Sequence, residues 1–194
     1  MNGGPAPISH TQPRVILTTP RLILRTAIDQ DIPVMHERVL GDADVMRYVF
    51  QGVPMTLERT EAVMRKFFTF GESLTGIAVL AEKPAAELIG FAGVFPTEAL
   101  SVSDFEIGFV LARNAWGRGI ATEIGEAQLA FGFEQLNCPR LLGLADPRNG
   151  PSIHALKKLG LRYLKDVMEP GRANRSVFTI EIEEWRSRAR EQRA

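Results

Sequence analysis

The chain has 194 residues, enough for one domain with a full hydrophobic core, and it shows no internal repeat. Hydrophobic residues at 45% and charged residues at 24% describe an ordinary globular protein, and 23 basic against 23 acidic side chains leave no net field to draw it onto DNA or an anionic membrane. The single cysteine, Cys138, excludes an internal disulfide framework and fits a reducing compartment; no run approaches the ~20 apolar residues of a membrane span and no secretory leader pattern is present, so the expected location is the cytoplasm.

Residues 1–13, with Gly3, Gly4, Pro5, Pro7 and Pro13, read as a loose tail. Residues 14–186 read as the folded domain and 187–194 as a basic C-terminal tail, in which Arg188, Arg190 and Arg193 are expected to be solvated together with Arg186. Order begins at 15–17 and at a strand over 21–25, where Leu22 and Leu24 share one face. Asp29 or Asp31 caps a helix to about Leu40, with Gly41 as its stop. A second helix is expected over 56–70, carried by Val63, Phe67 and Phe70 at helical spacing.

Strands over 75–82 and 88–95 flank the turn Lys83-Pro84-Ala85-Ala86 and should pair antiparallel. A strand over 104–111 leads into a glycine-rich turn and a helix reaching about Gln135, with Ile120, Ile124, Ala127 and Phe131 as its buried stripe. Residues 140–145 form a nearly unbroken apolar strand, covered on both faces. A short helix from Pro151 or Ser152 to Leu159 stops at Gly160, and strands over 161–167 and 175–182 close the chain. Antiparallel strands followed by a β-α-β-α-β section make the class α+β, a single domain built on a mixed sheet.

Strand, glycine turn and helix start in succession offer unpaired backbone N–H groups and the positive end of a helix dipole, which suits a phosphate-bearing ligand. A P-loop would place a lysine after the turn, and Gly119-Ile120-Ala121-Thr122 has none. A dinucleotide fingerprint would want a third small residue at Thr122 and an acid such as Asp146, but it would follow the first strand of its domain.

Trp116-Gly117-Arg118-Gly119-Ile120-Ala121, placed between a central strand and a helix, resembles the acetyl-CoA signature of the GCN5-related N-acetyltransferase superfamily, with Gly119 and Ala121 on its last two anchors. Trp116 stands where the wider superfamily has Gln or Arg. The segment Thr18-Thr19-Pro20-Arg21-Leu22-Ile23-Leu24-Arg25 and the run from Asn149-Gly150-Pro151-Ser152 to Leu161 extend the resemblance to the branch similar to acetyltransferases of ribosomal-protein N-terminal amines.

The resemblance implies acetyl-CoA as co-substrate, with its pyrophosphate on the amides of Gly117, Arg118, Gly119, Ile120, Ala121 and Thr122 beside Trp116. It implies a pantetheine arm pairing with Phe109, Val110 and Leu111 where the sheet splays, and a hydrogen bond from Asn149 to that arm. Gly108 either eases a bulge that opens the sheet or leaves room for a neighbouring side chain. The reaction is direct attack of a neutral primary amine on the thioester, with no metal required; His10, His36 and His154 show no ligand spacing.

Glu106 is the candidate base, against a solvated strand residue, and Ser152 the candidate acid for the leaving thiolate, against a helix cap. Tyr163 is a substitute acid. The amine acceptor, a protein N-terminus or a small molecule, would enter between the N-terminal helices and the loops over 42–54 and 96–103, where Asp42 and Asp44 attract a cation or are simply solvated. A catalytically silent acyl-CoA-binding module and a homodimer both remain open on the sequence.

Overall fold

The structure is a computed structural model and describes residues 12–168 and 174–191. Residues 1–11 of the expected tail and residues 192–194 lie outside the described residues. The elements run β1 (Val15–Thr18), β2 (Leu22–Arg25), α1 (Asp31–Met35, passing into a π-helical turn, His36–Leu40), α2 (Ala43–Met46), α3 (Leu57–Phe67), β3 (Ala78–Glu82), β4 (Glu87–Thr97) and β5 (Asp104–Leu111). They continue with α4 (Ile120–Ala130, ending in a second π-helical turn, Phe131–Gln135), β6 (Arg140–Ala145), α5 (Gly150–Lys158), β7 (Arg162–Val167), β8 (Arg175–Glu181) and α6 (Ile182–Glu191).

One eight-stranded sheet is ordered β1-β2-β3-β4-β5-β6-β8-β7. All neighbours are antiparallel except β5 and β6, which are parallel and joined through α4. This is the mixed α+β domain that the element order predicts. Side-chain alternation assigns the two faces: Val79 packs with Met35, Met46, Met64 and Phe68 under α1 and α3, while Ala78 and Leu80 pack with Ile120 and Ile124 of α4. A second cluster on the α4 and α5 side joins Leu129, Leu141, Leu156 and Phe178. Each of the larger of these side chains withdrawn from water contributes roughly 1.5–3 kcal/mol.

The parallel pair decides where a site can form. Arg140, at the start of β6, donates Nε and Nη2 to the two carboxylate oxygens of Asp104 at the start of β5, both at 2.7 Å. Beyond this clamp the strands meet only at Glu106 and Leu142, and then part. The opening comes from this divergence and not from a bulge at Gly108, where β4 and β5 stay in continuous register with Gly93 opposite Gly108. A Cβ on Gly108 would meet the Phe95 ring at 3.2 Å, so this glycine makes room for a side chain.

Several local expectations change. The N-cap position of α1 is Gln30, with no side-chain cap. Asp31 is buried and binds the Arg25 guanidinium through both oxygens at 2.7 Å, and Asp29 pairs with Arg65. Helix α3 stops at Phe67 because Phe68 turns extended and bridges Ile77, while Phe70 bridges Ala27. Its buried residues are therefore Thr60, Val63 and Met64, and Phe67 stays exposed.

On α4 the buried place expected for Ala127 goes to Gln128, whose Nε2 donates to Gly93 O at 2.7 Å and Gly108 O at 2.9 Å. The segment read as a tail from residue 187 continues α6: Trp185 stacks near Phe133 at 5.2 Å, and Arg188 donates to Lys158 O at 3.2 Å and to Leu159 O, the open end of α5. That end is closed by Gly160 at φ +89°, which lets Leu161 N reach back to Leu156 O at 3.1 Å.

Among the described residues no helix is long and apolar enough to cross a membrane, and no group of three or more His, Cys, Asp and Glu side chains is placed to hold a metal ion. Cys138 is buried, and that burial, with Asp104 nearby, pushes its thiol pKa up and keeps it protonated.

Candidate active site

The glycine turn leaves the end of β5 through a short 3₁₀ turn, Arg113–Ala115, and enters α4 at Ile120. Gly117 and Gly119 have φ of +69° and +76°, a region that side chains on L-residues disfavour. A Cβ on Gly117 would meet nothing within 4 Å, so backbone conformation, not crowding, requires glycine there. No side chain caps α4, which leaves its first amides open to a ligand.

The turn is held from outside. The Trp116 indole donates to Leu111 O at 2.8 Å, and Arg118 turns away to Glu82 at 2.5 Å. Glu123, in the first turn of α4, accepts from Arg21 N at 3.0 Å, from Arg21 Nε at 2.6 Å and from the Thr19 hydroxyl. Burial raises the Glu123 pKa, but Thr19, the Arg21 amide and the Arg21 guanidinium outweigh it, and the carboxyl sits below its ordinary value. The N-terminal hairpin thus braces the turn through residues of the Thr18–Arg25 segment that carried the resemblance.

Where β5 and β6 part, a cleft of about 950 Å³ opens. Glu106, Phe109 and Val110 line it from β5, and Asn149 and Ser152 from the start of α5. Five expected site residues from two separate segments therefore meet in one cavity. Leu111 does not line it; its carbonyl is already taken by Trp116. Trp116, Gly117, Arg118, Gly119, Ile120, Ala121 and Thr122 stand outside the cleft, at the far end of β5.

Asn149 is the N-cap of α5, accepting from Ser152 N at 3.2 Å through Oδ1. Ser152 is therefore inside the helix and not its cap. Among the described residues its hydroxyl forms no hydrogen bond with protein. Tyr163 is exposed on β7, edge-on to Phe178 at 5.8 Å, and lines no part of the cleft. Asp42 caps α2 through Asp44 N and Val45 N, and Asp44 pairs with Arg113 at 2.7 Å, so neither lines the cleft. Asp146 is buried, and the Arg148 guanidinium holds its carboxyl below the ordinary range.

The opposite wall includes the expected acceptor loop over 42–54, within which sequence reading singled out Asp42 and Asp44 and not the side chains that line the cleft. Arg47, Tyr48, Phe50 and Met55 from the loop before α3, Arg59 and Phe67 on α3, and Arg148 and Arg175 all line the cleft. They are scattered over more than a hundred positions and form no local motif. A smaller recess of about 450 Å³, lined by Phe67, Phe95, Glu98 and Glu106 among others, adjoins the cleft at Glu106.

Residues 21–162 match the model of the acetyltransferase (GNAT) domain family. YkkB of Bacillus subtilis is 31% identical over 154 residues, covering 78% of this chain and 87% of that protein. The crystal structure of a GNAT-family acetyltransferase from Bacillus anthracis superposes with a TM-score of 0.72 at 25% identity, covering 86% of this chain and 98% of that one. The spermidine N-acetyltransferase of Vibrio cholerae, in complex with CoA and spermine, shares the fold with a TM-score of 0.67 at 17% identity, covering 86% of this chain and 99% of that one. The chain belongs to the GNAT acetyltransferase family, and is an acetyltransferase by that membership.

Proposed function

We propose that the protein transfers an acetyl group from acetyl-CoA to a primary amine in a ternary complex, with Glu106 as base and Ser152 as acid. The observation that carries this reading is the single cleft lined by Glu106, Phe109 and Val110 on one strand and by Asn149 and Ser152 on the facing helix start. The amides of Gly117 to Thr122 would hold the pyrophosphate at the positive end of α4. The β6-facing edge of β5 has no strand partner beyond Glu106, so backbone groups at Phe109, beside Val110 in the cleft wall, can pair with the pantetheine arm. Because Asn149 uses its oxygen to cap α5, its amide NH₂ is left to donate to that arm.

In the reaction the amine nitrogen attacks the thioester carbon, a C–N bond forms, and the tetrahedral intermediate collapses with loss of the C–S bond. The amine proton passes to the Glu106 carboxylate; the CoA thiolate takes a proton from Ser152 Oγ, which solvent restores. A carboxylate base suits an amine of low pKa: a peptide α-amine lies near ~7.7–8 and lysine near ~10.4. A protein N-terminus, that of a ribosomal protein included, meets this condition, as does a small amine whose surroundings lower its pKa. A reaction consuming acetyl-CoA fits a cytoplasmic enzyme.

Calorimetric titration with acetyl-CoA and thiol release across an amine panel test the reading. Expected are saturable binding, amine-dependent thiol release, and loss of turnover with retained binding in Ser152→Ala. Absence of acetyl-CoA binding, or full turnover in both Ser152→Ala and Glu106→Gln, overturns it.

A further inference from the structure

We infer that the amine accepted by this enzyme is a small molecule that also carries an anionic group, a carboxylate or a phosphate, recognised by an arginine cluster built around Tyr48. The inference rests on the assignment of the cleft as the acceptor site. Among the described residues four arginines line that cleft, Arg47, Arg59, Arg148 and Arg175, against two carboxylates, Glu106 and Asp146. Three of the four gather on one residue: the guanidinium carbons of Arg47 and Arg148 lie 5.4 and 5.9 Å from the centre of the Tyr48 ring, and Arg175 Nη1 donates to Tyr48 O at 3.3 Å.

Asp146 is fully engaged, receiving Arg148 N at 2.9 Å, Nε at 3.0 Å and Nη2 at 2.8 Å. Among the described residues Arg47, Arg59 and Arg175 belong to no ion pair. Asp146 is paired with Arg148 and also feels Arg175, so one carboxylate faces three guanidinium groups at Tyr48; in a cavity and against an aromatic ring, that excess matches the planar oxygens of a carboxylate or phosphate. The donor's phosphates are not the ligand these arginines fit, since the glycine turn lies outside the cleft.

The opposite charge lies at the other end. Beyond Glu106 the adjoining recess carries Glu98 and, among the described residues, no cationic side chain. An acceptor with its anionic group toward Tyr48 suits the arginines, whereas a polyamine would set cationic charge against them.

The test uses the whole chain and paired acceptors that differ only in the anion: L-phenylalanine against phenethylamine, and phosphoethanolamine against ethanolamine, with spermidine as a polycation. Acetyl-CoA affinity is measured first, by calorimetry. The expected result is kcat/KM at least 10-fold higher for one anionic member of a pair, the pair that responds distinguishing carboxylate from phosphate. Arg47→Gln and Arg175→Gln should raise KM for that acceptor at least 10-fold, with kcat and acetyl-CoA affinity little changed.

Turnover that favours spermidine or the anion-free amines overturns the inference alone. So do arginine variants that weaken acetyl-CoA and not the acceptor, which would return these arginines to the donor. No acetyl-CoA binding at all overturns the acetyl-transfer reading, and the inference with it.

Discussion

Arg140 grips Asp104 through both carboxylate oxygens at 2.7 Å, two residues before Glu106, the only β5 position that still pairs with β6. This ion pair closes the base of the opening in which Glu106, Asn149 and Ser152 meet. Asp104 is 7% exposed, so losing Arg140 leaves a nearly buried carboxylate uncompensated. Arg140→Met should therefore lower stability by about 2 kcal/mol, read from the denaturant midpoint at unchanged m-value. Asp104→Asn in the same background should recover part of that loss by removing the orphan charge.

Gly119→Ala tests the turn. Its φ of +76° strains a side chain by about 1–2 kcal/mol, and the nearest atom to a new Cβ would be Arg21 Nη2 at 3.7 Å, so crowding adds nothing. Acetyl-CoA affinity should fall about 10-fold, and the melting temperature should drop slightly. Unchanged affinity in a folded variant would remove the turn from the donor site.

Glu123 gives the brace a pH signature. Its folded pKa lies below the ordinary 4.5, so its contribution is present above that value and is lost as pH falls through the lowered pKa. The stability gap between wild type and Glu123→Gln should be constant at neutral pH and shrink below about pH 4.5, where the unfolded carboxyl begins to protonate. Chemical denaturation at several pH values measures it. A gap that widens on acidification would contradict the assignment.

Gln128→Leu removes the amide that bridges the carbonyls of Gly93 and Gly108 across β4 and β5. Leucine has nearly the right size, so the cost comes from two carbonyls losing a buried partner, offset by relief of Gln128 Oε1, which is itself buried without one. A net loss of about 1–2 kcal/mol is expected in thermal unfolding.

Ser152→Ala separates chemistry from binding. A general acid contributes typically 10²- to 10⁴-fold, and solvent can replace part of it at this half-buried position, so kcat should fall about 10- to 100-fold with acetyl-CoA affinity unchanged. Tyr163→Phe, at a residue outside the cleft, should leave kcat unaltered.

Local signals were readable wherever the chain carries its own constraint. Strand β5 ends at Leu111 as its pattern says, and Gly160 terminates α5 through the left-handed conformation expected of it. Helix α3 begins at Leu57, one residue from the expected start, with Thr56 accepting Arg59 N at 3.2 Å as its cap. Misreadings arose where a distant partner outweighed local spacing. Phe67 and Phe70 continue a helical stripe on paper, but Phe68 leaves the helix to bridge Ile77. Gln128 looks like a polar surface residue until two strand carbonyls are placed above it.

By itself the sequence determined the order of the strands, the glycine turn between β5 and α4, and the helix start that follows Asn149. These depend on backbone conformation over a few residues, which neighbouring side chains dictate. Only the tertiary structure decided that β5 and β6 separate after one pairing, and that Arg47, Tyr48, Arg148 and Arg175 converge on the cleft between them. That convergence depends on sheet order, with β8 inserted between β6 and β7, and no local pattern of residues encodes a contact between positions a hundred apart.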